Sequence, residues 1–231
     1  MSHNASDVDK LHRYSNLVGK RKECRLCGDL GLTNPSVCEG GIYDNTGHIG
    51  PWTQWQGNLD AELMVVAQDW GGTEYYIEHE GVEEDTNTTN KRICDLLASV
   101  GLHIALPQQP QPTRPAFFTN SVLCLRPGRL TDGNVRSRCF TNCSRTFLRP
   151  QVELVNPKVV VTLGYMAYRS LVTAFGKHPR LRMREAVQEV VQLTDRTLLV
   201  PVFHPGNNGT RSRRLEKQKE DWRRVREALD K

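Results

Sequence analysis

Four short apolar runs, each halted by polar or glycine-bearing sequence, frame the chain. Leu63-Met64-Val65-Val66-Ala67 is unbroken, the pattern of a strand covered on both faces. It stops at Gln68-Asp69-Trp70-Gly71-Gly72. Further strands are predicted over residues 116–122, over 158–163, which halts at Gly164, and over 197–203, which runs into His204-Pro205-Gly206. Helical spacing fills the gaps. Ile93, Leu96, Leu97 and Val100 share one face of 90–100, and Phe147, Leu148, Val152 and Val155 share one face of 141–155. A third helix is expected over 165–175. Leu215, Trp222, Val225 and Leu229 recur at helical spacing in the last segment, whose other face is rich in Lys and Arg.

Strands alternating with helices predict an α/β fold, a three-layer α/β/α arrangement around a central, mainly parallel four-stranded sheet. Ligands of such sheets bind beyond the carboxyl ends of the strands. The polar clusters after the first and fourth strands would meet there. Pro107, Pro110, Pro112 and Pro115 mark an extended connection into the second strand. Residues 1–20 read as a polar N-terminal segment and 21–60, without clear periodicity, as a loop-dominated module. The segment 21–231 is expected to form one domain that ends in a basic helix, 211–231.

With 231 residues the chain can bury a substantial core. No stretch approaches the roughly 18 consecutive apolar residues of a membrane span. The first residues carry no apolar signal region, so a soluble, cytoplasmic, monomeric protein without a membrane partner is expected. The net charge of +5 is concentrated in the last 27 residues, with nine Lys or Arg against five Asp or Glu. That tail suits a polyanion or, equally, a solvated helix face.

In a reducing compartment, spaced thiols ligate metals more often than they form disulfides. Cys24-Arg25-Leu26-Cys27 is a C-x-x-C outside any predicted helix, and Cys124, Cys139 and Cys143 lie far downstream. A four-thiolate site suits zinc or an iron–sulfur cluster alike. Cys94 falls on an apolar helix face, as a core cysteine would, and Cys38 has no assignment.

Taken together, these residues resemble the uracil-DNA glycosylase superfamily, most closely its iron–sulfur branch (family 4). Cys24 and Cys27 resemble that branch's amino-terminal pair, and residues 57–66 its lead-in to the first strand. Thr119-Asn120-Ser121-Val122-Leu123-Cys124-Leu125-Arg126-Pro127-Gly128 is similar to its Thr-Asn-Val-Val-Lys-Cys-Arg-Pro-Pro-Gly stretch. Asn156-Pro157-Lys158-Val159 through Gly164 is similar to its third strand, and His204-Pro205-Gly206 stands where the superfamily has His-Pro-Ser. Two motifs depart from the branch. Gln68-Asp69 is closer to the Gly-Gln-Asp-Pro-Tyr of the archetypal uracil enzymes than to Gly-Glu-Ala-Pro-Gly, and Thr86-Asn87-Thr88-Thr89-Asn90 stands where a stacking phenylalanine is usual.

The resemblance implies a uracil-DNA glycosylase-like fold and a DNA repair hydrolase that cleaves the N-glycosidic bond of flipped-out uracil. It also implies a 4Fe–4S cluster on Cys24, Cys27, Cys124 and Cys143, with Cys139 as substitute for the last. Cleavage makes a cation-like sugar and an anionic base, which calls for a carboxylate near the sugar and donors at the base oxygen. Asp69 fits the first role and His204 the second, with the Gln68 backbone N–H beside it; the bland alternatives are a turn aspartate and a loop histidine. Asn120 would read uracil N3–H and O4 with its carboxamide, or else cap its own strand end. Glu74, Tyr75 and Tyr76 are candidates for excluding thymine or stacking on the base, and Arg211, Arg213 and Arg214 for binding phosphates. Two alternatives stay open: a same-fold glycosylase for another deaminated or damaged base, and a non-catalytic, zinc-bearing nucleic-acid-binding module.

Overall fold

A computed structural model describes residues 5–231; the first four residues of the polar N-terminal segment lie outside the described residues. The rest of that segment is helical. Helix α1, Ala5–Glu23, buries Tyr14, Val18 and Arg21 along one stripe at the spacing of four and three that one helix face requires. Arg21 is buried because Asp44 accepts from Nη1 at 2.5 Å and from Nη2 at 2.7 Å. Residues 24–60 hold only short 3₁₀ turns and helix α2, Pro51–Trp55.

The sheet contains β1 (Leu63–Ala67), β2 (Ala116–Asn120), β3 (Val159–Leu163), β4 (Val191–Gln192) and β5 (Leu198–Val202). Its order is β2-β1-β3-β5-β4. The four predicted strands pair in parallel, and the fifth, the two-residue β4, runs antiparallel along β5. Two residues carry no alternation, so no pattern announces that edge.

Helices α3 (Thr73–Glu78) and α4 (Thr88–Ala98) follow β1. Between β2 and β3 run α5 (Ser137–Cys143), a π-helical turn at Ser144–Leu148, and α6 (Arg149–Val155). Pro150 has no N–H for the helical ladder, and the widened turn before it absorbs the misfit. Then come α7 (Tyr165–Ala174), α8 (Met183–Ala186), α9 (Asn207–Ser212) and α10 (Leu215–Leu229). The basic tail is thus two helices broken at Arg213 and Arg214.

One sheet face presents Met64, Val66, Phe117, Val160 and Leu199 to α1 and to α5–α7. The other presents Leu63, Val65, Phe118, Val161 and Val200 to α2, α4 and α10, where Trp222 is fully buried. Covering on both faces explains why the strands read as unbroken apolar runs. Among the described residues no helix is long and apolar enough to cross a membrane.

Candidate active site

Beyond Ala67 the chain leaves the carboxyl edge of the sheet through Gln68, Asp69 and Trp70. These three and His204, from the turn after β5, line one cleft of about 810 Å3. The Asp69 side chain is 3% exposed. Its Oδ2 accepts from Gln68 Nε2 at 2.7 Å, and its Oδ1 from Arg126 Nε at 2.9 Å. Arg126 also donates from Nη1 to the Asp132 carbonyl at 2.7 Å and from Nη2 to the Leu130 carbonyl at 2.5 Å. Its approach depends on glycine. Arg126 N–H bonds the Gly71 carbonyl at 2.9 Å and Thr73 N–H bonds the Arg126 carbonyl at 2.8 Å. A Cβ on Gly72 between them would stand 2.1 Å from the Gly128 oxygen.

His204 is fixed as firmly. Gly206 N–H donates to Nδ1 at 2.9 Å, so the neutral ring carries its proton on Nε2. Burial pushes the imidazole below its ordinary value, against the pull of the Asp69 charge. The neutral donor form is therefore favoured. A Cβ on Gly206 would reach 2.8 Å from His204 Nδ1, and one on Gly209 would reach 1.8 Å from the His204 carbonyl oxygen. Arg92 of α4 steadies the same turn, donating from Nη1 to the Pro205 carbonyl at 2.8 Å and to Asn207 Oδ1 at 3.1 Å.

Other candidates stand elsewhere. Asn120 pairs with Ala67 in the sheet register but is not among the lining side chains; its Oδ1 is buried without a protein partner. Glu74 is exposed, 3.5 Å from Arg129. Tyr75 and Tyr76 back the indole of Trp70, with ring centroids 5.2 and 5.1 Å away. Trp70 and Trp52, rather than Tyr75 or Tyr76, form the cleft wall. Arg211 is exposed on the cleft lining. Arg213 is committed to a bidentate pair with Asp221 of α10, and Arg214 is exposed where α10 begins. Arg126, Trp52, Glu83 and Asn90 were not singled out in the sequence; for Arg126 the signal was its place six residues after Asn120 in the quoted motif.

On the opposite face, Cys24, Cys27, Cys124 and Cys143 border one pocket. Cys139 is fully buried beside Cys27 and is not on that lining. Burial and the neighbouring thiols push Cys124 and Cys143 up. The chemistry of the pocket suits an anionic group: Arg21 borders it, and Arg21 Nε is buried without an acceptor. Among the described residues no three Cys, His, Asp or Glu side chains are grouped for a single metal ion. Cys38 is buried among the aromatic side chains of the other core, and Cys94 packs against that core.

A comparison with curated proteins returned no match. The Uracil DNA glycosylase superfamily matches residues 55–229, a span that takes in Asp69, Asn120, Arg126 and His204 and leaves out Cys24 and Cys27. Most of the chain, including the whole cleft lining except Trp52, lies within that match, and the chain belongs to the uracil DNA glycosylase superfamily.

Proposed function

We propose that this protein excises uracil from DNA, hydrolysing the N-glycosidic bond of an extruded nucleotide and leaving an abasic site. The observation that carries the reading is the meeting of Asp69 and His204 on one cleft, each held by dedicated partners. As the bond from the sugar C1′ to the base nitrogen breaks, its electron pair leaves with the base and positive charge grows on the sugar. Asp69 favours that charge and takes the proton of the water whose oxygen bonds C1′. His204 Nε2–H donates to the base oxygen where negative charge develops. Arg211 neutralises a phosphate beside the extruded nucleotide.

Cys24, Cys27, Cys124 and Cys143 would hold an iron–sulfur cluster. The cluster would tie the amino-terminal loops to the core and take no part in bond cleavage. Zinc on the same four thiolates is the alternative occupant.

Abasic-site formation on a uracil oligonucleotide tests the activity, and iron and zinc content tests the metal. Cleavage abolished by Asp69→Ala, with DNA binding kept, supports the reading. A wild-type protein that binds DNA and cleaves none of uracil, hypoxanthine, xanthine and thymine-mismatch substrates would favour a non-catalytic binding module.

A further inference from the structure

The segment between α7 and α8 holds an apolar side chain out in water on a fixed backbone. Leu181 is 85% exposed, more than any other large apolar side chain among the described residues. The residue before it is clamped. Arg180 N–H donates to the Tyr168 hydroxyl at 3.0 Å, and the Tyr165 hydroxyl donates to the Arg180 carbonyl at 3.0 Å. Both tyrosines belong to α7, and Tyr165 directly follows Gly164, where β3 has ended at the carboxyl edge of the sheet. A Cβ on Gly164 would lie 3.4 Å from His204 Cβ, so the clamp stands on the edge that carries the cleft, beside the His204 turn. The charge around Leu181 has one sign to spare. Arg180 pairs with Glu189, whereas Lys177, Arg182 and Arg184 are exposed and close no ion pair among the described residues. A leucine presented in this way gains on docking the burial that it lacks alone, and its fixed backbone loses little freedom in the process.

We propose that residues 177–184 form a second DNA contact, one that engages duplex and not single-stranded DNA: Leu181 packs into a groove of the duplex while Arg182 and Arg184 neutralise phosphates of the same duplex. This rests on the glycosylase reading and deepens it by naming the form of DNA for which the protein is built. Charge selects the occupant. Unpaired cations around one apolar side chain match a groove walled by phosphates and lined by sugars and base edges. One leucine among cations is far too small a patch for a specific protein partner, which needs about 800 Å2 on each side. The turn after His204 supplies no such contact, since it continues as Asn207-Asn208-Gly209-Thr210-Arg211 without a large apolar residue. A single strand can occupy the cleft and meet Arg211, but the groove that Leu181 fills exists only in a duplex. Extruding a base from a stacked duplex costs free energy that a single strand does not demand, and the Leu181 contact offsets part of it.

Leu181, Arg182 and Arg184 are all exposed, so their variants should fold and melt as the wild type does. Binding of the full chain to a duplex carrying a stable abasic analogue, and to the same strand alone, read by fluorescence anisotropy across a salt series, tests the proposal. Leu181→Ser should weaken duplex binding about tenfold, the worth of a leucine buried against the groove, and leave single-strand binding unchanged. The double variant Arg182→Gln, Arg184→Gln should lower the salt slope on the duplex by about 1.8, at about 0.9 for each phosphate. Uracil excision from the duplex should fall relative to excision from the single strand in both. Duplex affinity and salt slope that stay at wild-type values overturn the proposal, as does a loss in Leu181→Ser that is equal on the single strand. Excision by the wild type judges the underlying reading separately. A protein that excises no base, yet binds the duplex through Leu181, keeps the contact and refutes the glycosylase; one that excises uracil while every variant behaves as wild type keeps the glycosylase and refutes the contact.

Discussion

Arg126→Met removes the guanidinium that faces Asp69 while keeping much of the side-chain volume. The two side chains are 12% and 3% exposed, so little water replaces the lost partner. The Asp132 and Leu130 carbonyls lose their donors as well. Breaking one half of a buried pair costs about 3–5 kcal/mol. In a chain of this length each kcal/mol moves the melting temperature by about 2–4 °C, so a fall of about 6–20 °C is expected. Activity should fall too, because Asp69 would keep only Gln68 to orient it, and a misplacement of about 1 Å can cost about 10²-fold in rate. Differential scanning calorimetry and single-turnover cleavage of a uracil oligonucleotide read the two effects. In the double variant with Asp69→Asn the stability loss should be less than additive, as for groups in direct contact. A single variant that melts within about 2 °C of wild type and cleaves at the wild-type rate would show that Asp69 is held by something other than Arg126.

His204→Ala should lower single-turnover cleavage about 10²–10³-fold while abasic-DNA binding persists. Because burial holds the imidazole below its usual 6.5, the donor form survives as pH falls through that value; a pH–rate profile already dropping between 7 and 6.5 through His204 protonation would contradict this. Gly209→Ala places a methyl 1.8 Å from the His204 backbone carbonyl oxygen, so the turn must shift and both cleavage and thermal stability should fall, and equal activity would refute the claim that this contact positions His204. For Glu83 the folded value of about 7 lies above the ordinary 4.5. Its contribution to stability is therefore full below about 4.5 and is lost as pH rises through about 7, a change of about 3 kcal/mol. Urea unfolding across that window should show the slope in wild type, and a Glu83→Gln curve with the same slope would assign it to other groups.

What the sequence made legible follows from how local each signal is. The four long strands are buried on both faces, so their apolar runs stand out, and the turns that end β1 and β5 display Asp69 and His204 at the expected edge. Helix α1 was hidden. Its buried stripe is two apolar residues and an arginine, and the burial of Arg21 depends on Asp44, which no local pattern reveals. Arg126 meets Asp69 across 57 positions, a pairing made by the docking of Gly71 and Gly72 against the 126–129 turn. Glu83 sits in an acidic run that reads as solvated loop until Asn90 of α4 closes over it. Tyr75 and Tyr76 are one short helix away from the cleft wall, and the pitch of α3 turns them behind Trp70.

The stretch from Asn120 to Arg126 links the thiol pocket to the cleft. Ser121 and Val122 N–H groups bond the Ala67 and Gln68 carbonyls at 2.8 and 2.9 Å, which holds the strand end against the Asp69 turn. Leu123 N–H then donates to Cys143 Sγ at 3.3 Å, and Cys124 borders the thiol pocket. Leu125 exchanges both backbone hydrogen bonds with Thr33, in the loop that follows Cys27. Only after these fixed points does Arg126 reach Asp69. An extended chain has two soft dihedrals per residue, and each of these bonds removes freedom just before the guanidinium is placed. The amino-terminal loops, far from the cleft in sequence, thereby help to set the position of the Asp69 carboxylate. The thiol pocket and the Asp69 cleft are two ends of one support.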